Sequence, residues 1–347
     1  MPAETEVLIP HFSRRFSGVT ASVIALIPAL EKHYPTFAVG YGIPKRIPRV
    51  SWLQLWTKLR SRSPKIWQAR RNNEMLLGLF FKKILRYPLT LIWLTADNYR
   101  RGWLTRFLYR RMDAVIATSE SAASFIDRPS TVVPHGIDTQ RFRPSDNRGQ
   151  RWREKGLGGE YGIAILGRVR PNKGTGDFVE ALCEILPSFP NWTGVLIGET
   201  TPRYRNFQQE LQRKIERAGL AGRVIFVGKV ENFDEIPDWY RAVSLVVAPP
   251  WLEGFGLTVP EAMASACAVV ATDTGAFPQI IESGENGWLI PRRDAAALKS
   301  ALRHAMTRVE QLDEIGLKGR RRIEEHFSAE REAESLAKIY RGFVKVP

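Results

Sequence analysis

The chain is poor in the residues that staple or metallate a small fold. It has only two cysteines, Cys183 and Cys267, in 347 residues. Each falls among apolar, helix-like neighbours, which fits packed thiols in a reducing compartment rather than a disulfide framework. The five histidines, at positions 11, 33, 135, 304 and 326, are scattered without metal-ligand spacing. No apolar run approaches the roughly 20 residues needed to span a bilayer; the longest, residues 19–30, is interrupted by Pro28. The first residues carry Glu4 and Glu6 and no basic segment ahead of an apolar core, so they do not read as a signal peptide. Fixed-period repeats and low-complexity tracts are missing too.

What is present suits a globular protein of two domains. At 347 residues the chain exceeds what one core usually serves, and two domains of roughly 150 residues each are expected. Hydrophobic residues make up 44% and charged residues 25%, ordinary for a globular chain. The net charge of +15 is concentrated: residues 45–111 hold seventeen Lys or Arg against two acids, Glu74 and Asp97. Five of the ten tryptophans, Trp52, Trp56, Trp67, Trp93 and Trp103, fall in the same stretch.

Apolar runs and helical patterns alternate along the chain. A strand is expected at residues 5–10, then the loop HFSRRFSG with Arg14, Arg15 and Gly18, then a helix at 19–32. A second strand follows at 37–41. Basic helices are expected at 51–60, 64–85 and 101–112, with buried-type strands at 89–95 and 114–118. The polar run 145–160 is the linker candidate. Beyond it, strands at 161–166, 194–197, 223–227, 244–248, 268–272 and 287–290 alternate with helices, the last helix covering 329–340. This pattern predicts an α/β protein with two doubly wound parallel sheets.

The richest stretch is PPWLEGFGLTVPEAMASAC, residues 249–267. Glu253 and Glu261 are separated by seven residues. Gly254 and Gly256 permit positive φ and close backbone approach, and Pro260 is tolerated in a first helical turn. Glu253 is therefore expected on a loop and Glu261 in a helix. Glycines ahead of a helix start suit a phosphate or pyrophosphate, leaving one carboxylate on each side to hold hydroxyl groups.

EGFGLTVPEAMA, followed by VVATDTGAFPQII and ENGWLIP, resembles family 4 of the retaining, nucleotide-sugar-dependent GT-B glycosyltransferases. IPHFSRRFSGVTAS and EIPDWYRAVSLVVAPP are similar to the lipopolysaccharide core mannosyltransferases within it. The resemblance covers nearly the whole chain and implies a GT-B fold, two Rossmann-like domains facing a central cleft. It places an acceptor-binding domain at residues 1–148, ending near VVPHGIDTQRFRP, where His135 stands in place of the commoner Asn. A nucleotide-sugar-binding domain is placed at 149–328, and residues 329–347 are placed as a helix packing back on the first domain. No Asp-x-Asp pair of the kind that holds a metal-bound sugar nucleotide in the other large glycosyltransferase fold occurs, so a metal-independent reaction without a cofactor is expected.

The resemblance also implies roles. Gly18 lets the first loop face the donor phosphates; a plain β-α turn is its other reading. In GRVRPNKG, Arg168 and Lys173 neutralise the diphosphate; otherwise they are solvated surface charges. Gly256, Leu257 and Thr258 offer backbone N–H groups to the phosphates, and Thr258 a hydroxyl. Glu261 accepts the ribose hydroxyls, or is only an acid favoured in a helix's first turn. Glu253 touches the transferred sugar and supports an oxocarbenium-like state. Retention through a covalent glycosyl carboxylate requires two carboxylates about 5 Å apart, which this spacing does not establish, so front-face attack is expected. After residue 95 many family members place a His, where this chain has Ala96, Asp97 and Asn98. Asp97 either lies opposite an Arg or faces the acceptor. Arg14 and Arg15, on the first loop, are either a solvated pair or hold acidic groups of the acceptor.

The expected activity is transfer of a hexose, most directly mannose from GDP-mannose, to a lipid-linked lipopolysaccharide core oligosaccharide. The alternatives are a UDP-sugar donor on another glycolipid or polysaccharide and, more remotely, a nucleic-acid-binding protein; no recognised nucleic-acid module is present. The basic, tryptophan-rich stretch suggests docking on an anionic membrane. A peripheral position on the cytoplasmic face of the inner membrane is expected, with some of the tryptophans serving the first core instead.

Overall fold

Runs such as Leu89–Thr95 and Ala268–Thr272 are apolar but for threonine and almost wholly buried, the mark of parallel strands covered on both faces. A computed structural model describes residues 5–61 and 63–343; Glu4 lies outside them. The chain divides into two units, residues 1–138 with 327–347, and residues 139–326.

The first unit begins with β1 (Glu6–His11), α1 (Gly18–Leu30), β2 (Thr36–Gly40), β3 (Arg49–Val50) and α2 (Trp52–Arg60). It continues with β4 (Lys65–Ala69), α3 (Asn72–Leu79), a π-helical turn (Phe80–Ile84), β5 (Leu89–Thr95) and α4 (Trp103–Tyr109). β6 (Ala114–Ala117), α5 (Glu120–Ala123) and β7 (Thr131–Val132) complete its sheet. The seven strands are parallel in the order β3-β2-β1-β4-β5-β6-β7. The order reverses between β1 and β4, the switch point at which doubly wound sheets open a crevice at the strands' carboxyl ends.

The second unit starts with α6 (Arg148–Glu154), β8 (Tyr161–Leu166), α7 (Thr175–Ile185), β9 (Trp192–Ile197), α8 (Arg205–Arg217) and β10 (Val224–Gly228). α9 (Ile236–Ala242), β11 (Leu245–Ala248), α10 (Thr258–Ala264), β12 (Ala268–Thr272) and α11 (Phe277–Ile280) follow. β13 (Trp288–Ile290), α12 (Ala295–Thr307) and α13 (Val309–His326) end it. Its six parallel strands run β10-β9-β8-β11-β12-β13, with the switch between β8 and β11. The last helix, α14 (Ala329–Arg341), belongs to the first unit, where Ala333, Leu336 and Tyr340 share a core cluster with Val23, Ile27 and Ile92.

Three expectations are corrected. The helix expected at 64–85 is a strand, β4, followed by α3 and the π-helical turn. Lys65–Ala69 is buried along its whole length and pairs with β1 on one side and β5 on the other; a β-branched and aromatic run between two strands satisfies its backbone in the sheet. The linker expected at 145–160 is a folded part of the second unit. There Trp152 is buried, and the Arg148 guanidinium donates to the carbonyls of Tyr240, Val243, Ser265 and Ala266. The division between the units accordingly falls at Asp138/Thr139 and His326/Phe327, not at 148/149 and 328/329.

The first unit's other sheet face is covered by α2, α3 and α4, whose Leu55, Leu59, Met75 and Leu108 enter one cluster with Trp67 and Trp93. These two tryptophans are core residues. The outer side of the same helices is apolar and exposed: Trp52, Leu53 and Trp56 on α2, Leu76, Phe80 and Ile84 along α3 and the π-helical turn, Trp103, Leu104 and Phe107 on α4. Trp103 is 78% exposed. Nine large apolar side chains on one helical layer exceed the scattered exposure of an ordinary surface.

Candidate active site

The second unit's site is built at the carboxyl ends of β8, β11 and β12. The loops after β8 and β11 are joined directly: Trp251 N–H donates to the Asn172 carbonyl at 3.0 Å, and its indole N–H to Asp177 Oδ2 at 2.8 Å. The loop after β11 is also tied to β12, through the Thr272 hydroxyl on the Pro250 carbonyl at 2.7 Å and Glu253 N–H on Thr274 Oγ1 at 3.3 Å. Two glycines make this approach possible. Gly256 has φ of 78° and Gly275 of 61°; a Cβ would overlap the Phe277 ring at the first and the Gly254 carbonyl oxygen at the second. Gly254 is not among the glycines of positive φ.

Four of the expected residues, Arg168, Lys173, Glu253 and Thr258, line one cavity together with Thr175 and Phe277. Lys173 donates to Glu253 Oε2, so the expected phosphate-binding cation and sugar-binding carboxylate are an ion pair in the free protein. Gly256 and Leu257 lead into α10, Leu257 as its N-cap and Thr258 as its first residue. The helix has seven residues.

Glu261 lies one turn further along α10 and faces elsewhere: its Oε2 accepts from the Tyr240 hydroxyl at 2.9 Å. Burial pushes its pKa up to about 7, against the opposing pull of the Tyr240 hydrogen bond and the Arg141 charge. Arg170 was not among the expected residues. Burial lowers its pKa, the Arg168 charge adds to this and Glu253 opposes it, and its buried Nε has no hydrogen-bond partner among the described residues. Its only signal in the sequence is its place two residues after Arg168 in GRVRPNKG. Tyr240, too, was legible only as part of a resembling motif.

The remaining expected residues lie in the first unit. Gly18 opens α1, next to the N-cap Ser17, whose hydroxyl accepts from Arg71 at 3.2 Å. Arg14 and Arg15 are exposed on the loop between β1 and α1, and the Arg14 guanidinium stands 5.3 Å from the centre of the Tyr41 ring. Asp97, just after β5, pairs with Arg101 and accepts from the Thr95 hydroxyl at 2.8 Å. Among the described residues no group of three His, Cys, Asp or Glu is placed to hold a metal ion, and no helix is long and apolar enough to cross a membrane.

The family profile described as "Glycosyl transferases group 1" matches residues 160–308, which include β8, the paired glutamates and β13. The chain is 39% identical over 349 aligned residues, 99% of either chain, to the lipopolysaccharide core biosynthesis mannosyltransferase LpsB of Rhizobium meliloti (strain 1021). The chain belongs to the group 1 glycosyltransferases. It is also 38% identical to the lipopolysaccharide core biosynthesis mannosyltransferase LpcC of Rhizobium leguminosarum bv. viciae, covering 98% of this chain and 97% of the relative. Among solved structures, the C-terminal domain of an LpcC from Francisella tularensis is 42% identical with a TM-score of 0.54, covering 56% of this chain and 99% of that one. HepE of Anabaena, solved with UDP, is 20% identical with a TM-score of 0.82, covering 97% of this chain and 100% of that one. That likeness is one of fold, and with the two parallel sheets it establishes the expected GT-B architecture for this glycosyltransferase.

Proposed function

We propose that this glycosyltransferase moves mannose from GDP-mannose to a lipid-linked lipopolysaccharide core acceptor, with retention at the anomeric carbon and without a metal. The observation that carries the reading is the end-to-end similarity to two lipopolysaccharide core mannosyltransferases, joined to the gathering of Arg168, Lys173, Glu253 and Thr258 in one cavity.

In this reading the donor diphosphate lies against Arg168 and Lys173, with the backbone N–H groups of Gly256, Leu257 and Thr258 completing its surroundings within the second unit. Its negative charge competes for the Lys173 ammonium and releases Glu253 to the hydroxyls of the sugar. As the bond between the anomeric carbon and the phosphate oxygen breaks, the electron pair leaves with the diphosphate, and preorganised cations stabilise it. Glu253 favours the positive charge developing on the sugar. The acceptor oxygen bonds to the same face, its proton passing to the departing phosphate oxygen. Glu261 holds the ribose, and Arg14, Arg15 and Asp97 meet the acceptor, whose acidic groups suit arginine.

The exposed apolar helical layer and the basic stretch 45–111 belong to this function as the seat of an anionic membrane, which keeps a lipid-linked acceptor within reach on the cytoplasmic face. Charge complementarity favours that occupant: the layer carries exposed Arg60, Lys83 and Arg111 beside its aromatic residues, and interfacial Trp with Lys or Arg is a membrane-surface pattern.

Initial-rate assays with GDP-mannose, UDP-glucose and UDP-galactose on a lipopolysaccharide core acceptor, with and without EDTA, test the reading. Turnover with GDP-mannose alone, indifferent to EDTA and giving the α-linked product, supports it. Turnover with a UDP-sugar only replaces the donor, and loss on chelation restored by magnesium or manganese overturns the metal-free mechanism.

A further inference from the structure

Tyr240 is almost completely buried on α9, with its ring edge-on to Phe142 at 5.7 Å between centres. Its main-chain carbonyl accepts from the Cys267 thiol at 2.8 Å and from Arg148 at 3.0 Å. Both ends of the residue are therefore fixed before any ligand arrives. Its hydroxyl donates to one oxygen of Glu261 only, Oε2 at 2.9 Å. Among the described residues Oε1 accepts no hydrogen bond, and Glu261 is half-buried.

We propose that Tyr240 is a positioning residue for donor binding, whose hydroxyl holds the Glu261 carboxylate in one orientation and leaves Oε1 free to accept a ribose hydroxyl. The inference rests on the ribose role proposed above for Glu261. A carboxylate on an unrestrained side chain loses rotamer freedom when it engages a ligand, whereas one already held loses little. The phenol also favours the ionised, hydrogen-bond-accepting form. The groups facing Glu261 are Tyr240 from α9 and Arg141 from the segment ahead of α6; both favour ionisation and burial opposes it, which sets the pKa at about 7. Donor binding should accordingly strengthen as pH rises through neutrality, and removing the phenol should move that rise to higher pH.

The test is the pH profile of the donor KM and of kcat from about pH 5.5 to about pH 9, a range in which the doubly esterified phosphates of a sugar nucleotide do not titrate. Tyr240→Phe keeps the ring against Phe142; it should raise the donor KM about tenfold at neutral pH, as expected for one hydrogen bond to a charged group. Its kcat should stay within about twofold, and the midpoint of its profile should move upward. Arg141→Gln should move the midpoint in the same direction without touching the phenol. A purely structural role for Tyr240 would lower the melting temperature and leave the midpoint in place, which overturns the proposal. Glu261→Gln separates the two layers of argument. If it raises the donor KM while Tyr240→Phe does not, only the positioning role falls; if it leaves the donor KM unchanged, the ribose role falls and the inference with it.

Discussion

Replacing Lys83 and Arg111 with Gln probes the proposed membrane seat most directly. Lys83 lies in the π-helical turn beside Phe80 and Ile84, and the Arg111 guanidinium stands 3.5 Å from the centre of the Phe107 ring. Both are exposed, and neither is paired with an acid among the described residues. Each basic side chain near an anionic leaflet contributes about 1 kcal/mol, so removing both weakens binding by about 2 kcal/mol, or roughly 30-fold in the partition coefficient. The converse change has the opposite sign. Asp127 accepts from Arg106 at 2.8 Å and from Arg110 at 2.6 Å, and Asp127→Asn leaves both cations unopposed, strengthening binding about fivefold. Trp103→Ala removes the most exposed tryptophan of the layer and costs roughly tenfold or more, the apolar share of one large side chain. Sedimentation with phosphatidylglycerol-containing vesicles and with pure phosphatidylcholine vesicles reads all three, and added salt should weaken the anionic case through screening. Equal binding to neutral vesicles, or charge variants that bind like the wild type, refutes the assignment of this surface to an anionic membrane.

Two further expectations concern Lys173 and the loop bearing Glu253. Lys173→Met and Glu253→Gln should each lower turnover about 10²-fold. Because they are partners in one ion pair, the double variant should lose less than the product of the single losses; strictly multiplicative losses in single-turnover kinetics would show that the two act separately. Gly275→Ala forces a Cβ into the Gly254 carbonyl at a φ of 61°. The left-handed backbone alone costs about 1 kcal/mol, and displacement of the loop bearing Glu253 should lower turnover more than the few degrees lost in melting temperature would suggest. Wild-type kinetics in this variant would show that the loop's fixed position is not required.

Most of the alternation of strands and helices was legible in the sequence. The strands at 89–95, 161–166 and 268–272 occupy the ranges expected for them, because a strand buried on both faces is apolar at consecutive positions and needs no partner to be recognised. The loop position of Glu253 and the helical position of Glu261 were legible as well, since glycine, proline and helix formers act locally. β4 was not. Ile66, Ala69, Leu77, Phe80 and Ile84 also satisfy a helical period, and five residues are too few to exclude it; only the pairing of Lys65–Ala69 with β1 and β5 decides for a strand.

Side-chain partnerships across long separations were decided by tertiary structure alone. Lys173 meets Glu253 across 80 residues and Tyr240 meets Glu261 across 21; the first contact follows from the neighbouring of β8 and β11 in the sheet, which no local pattern encodes. The five tryptophans of the basic stretch divide the same way. Trp67 and Trp93 point from strands into a core, while Trp52, Trp56 and Trp103 stand on the outer side of the helices covering it. Composition determined that aromatic and basic residues would gather in that part of the chain; which of them reach water depends on how each helix is rotated against the sheet, and that is set by packing.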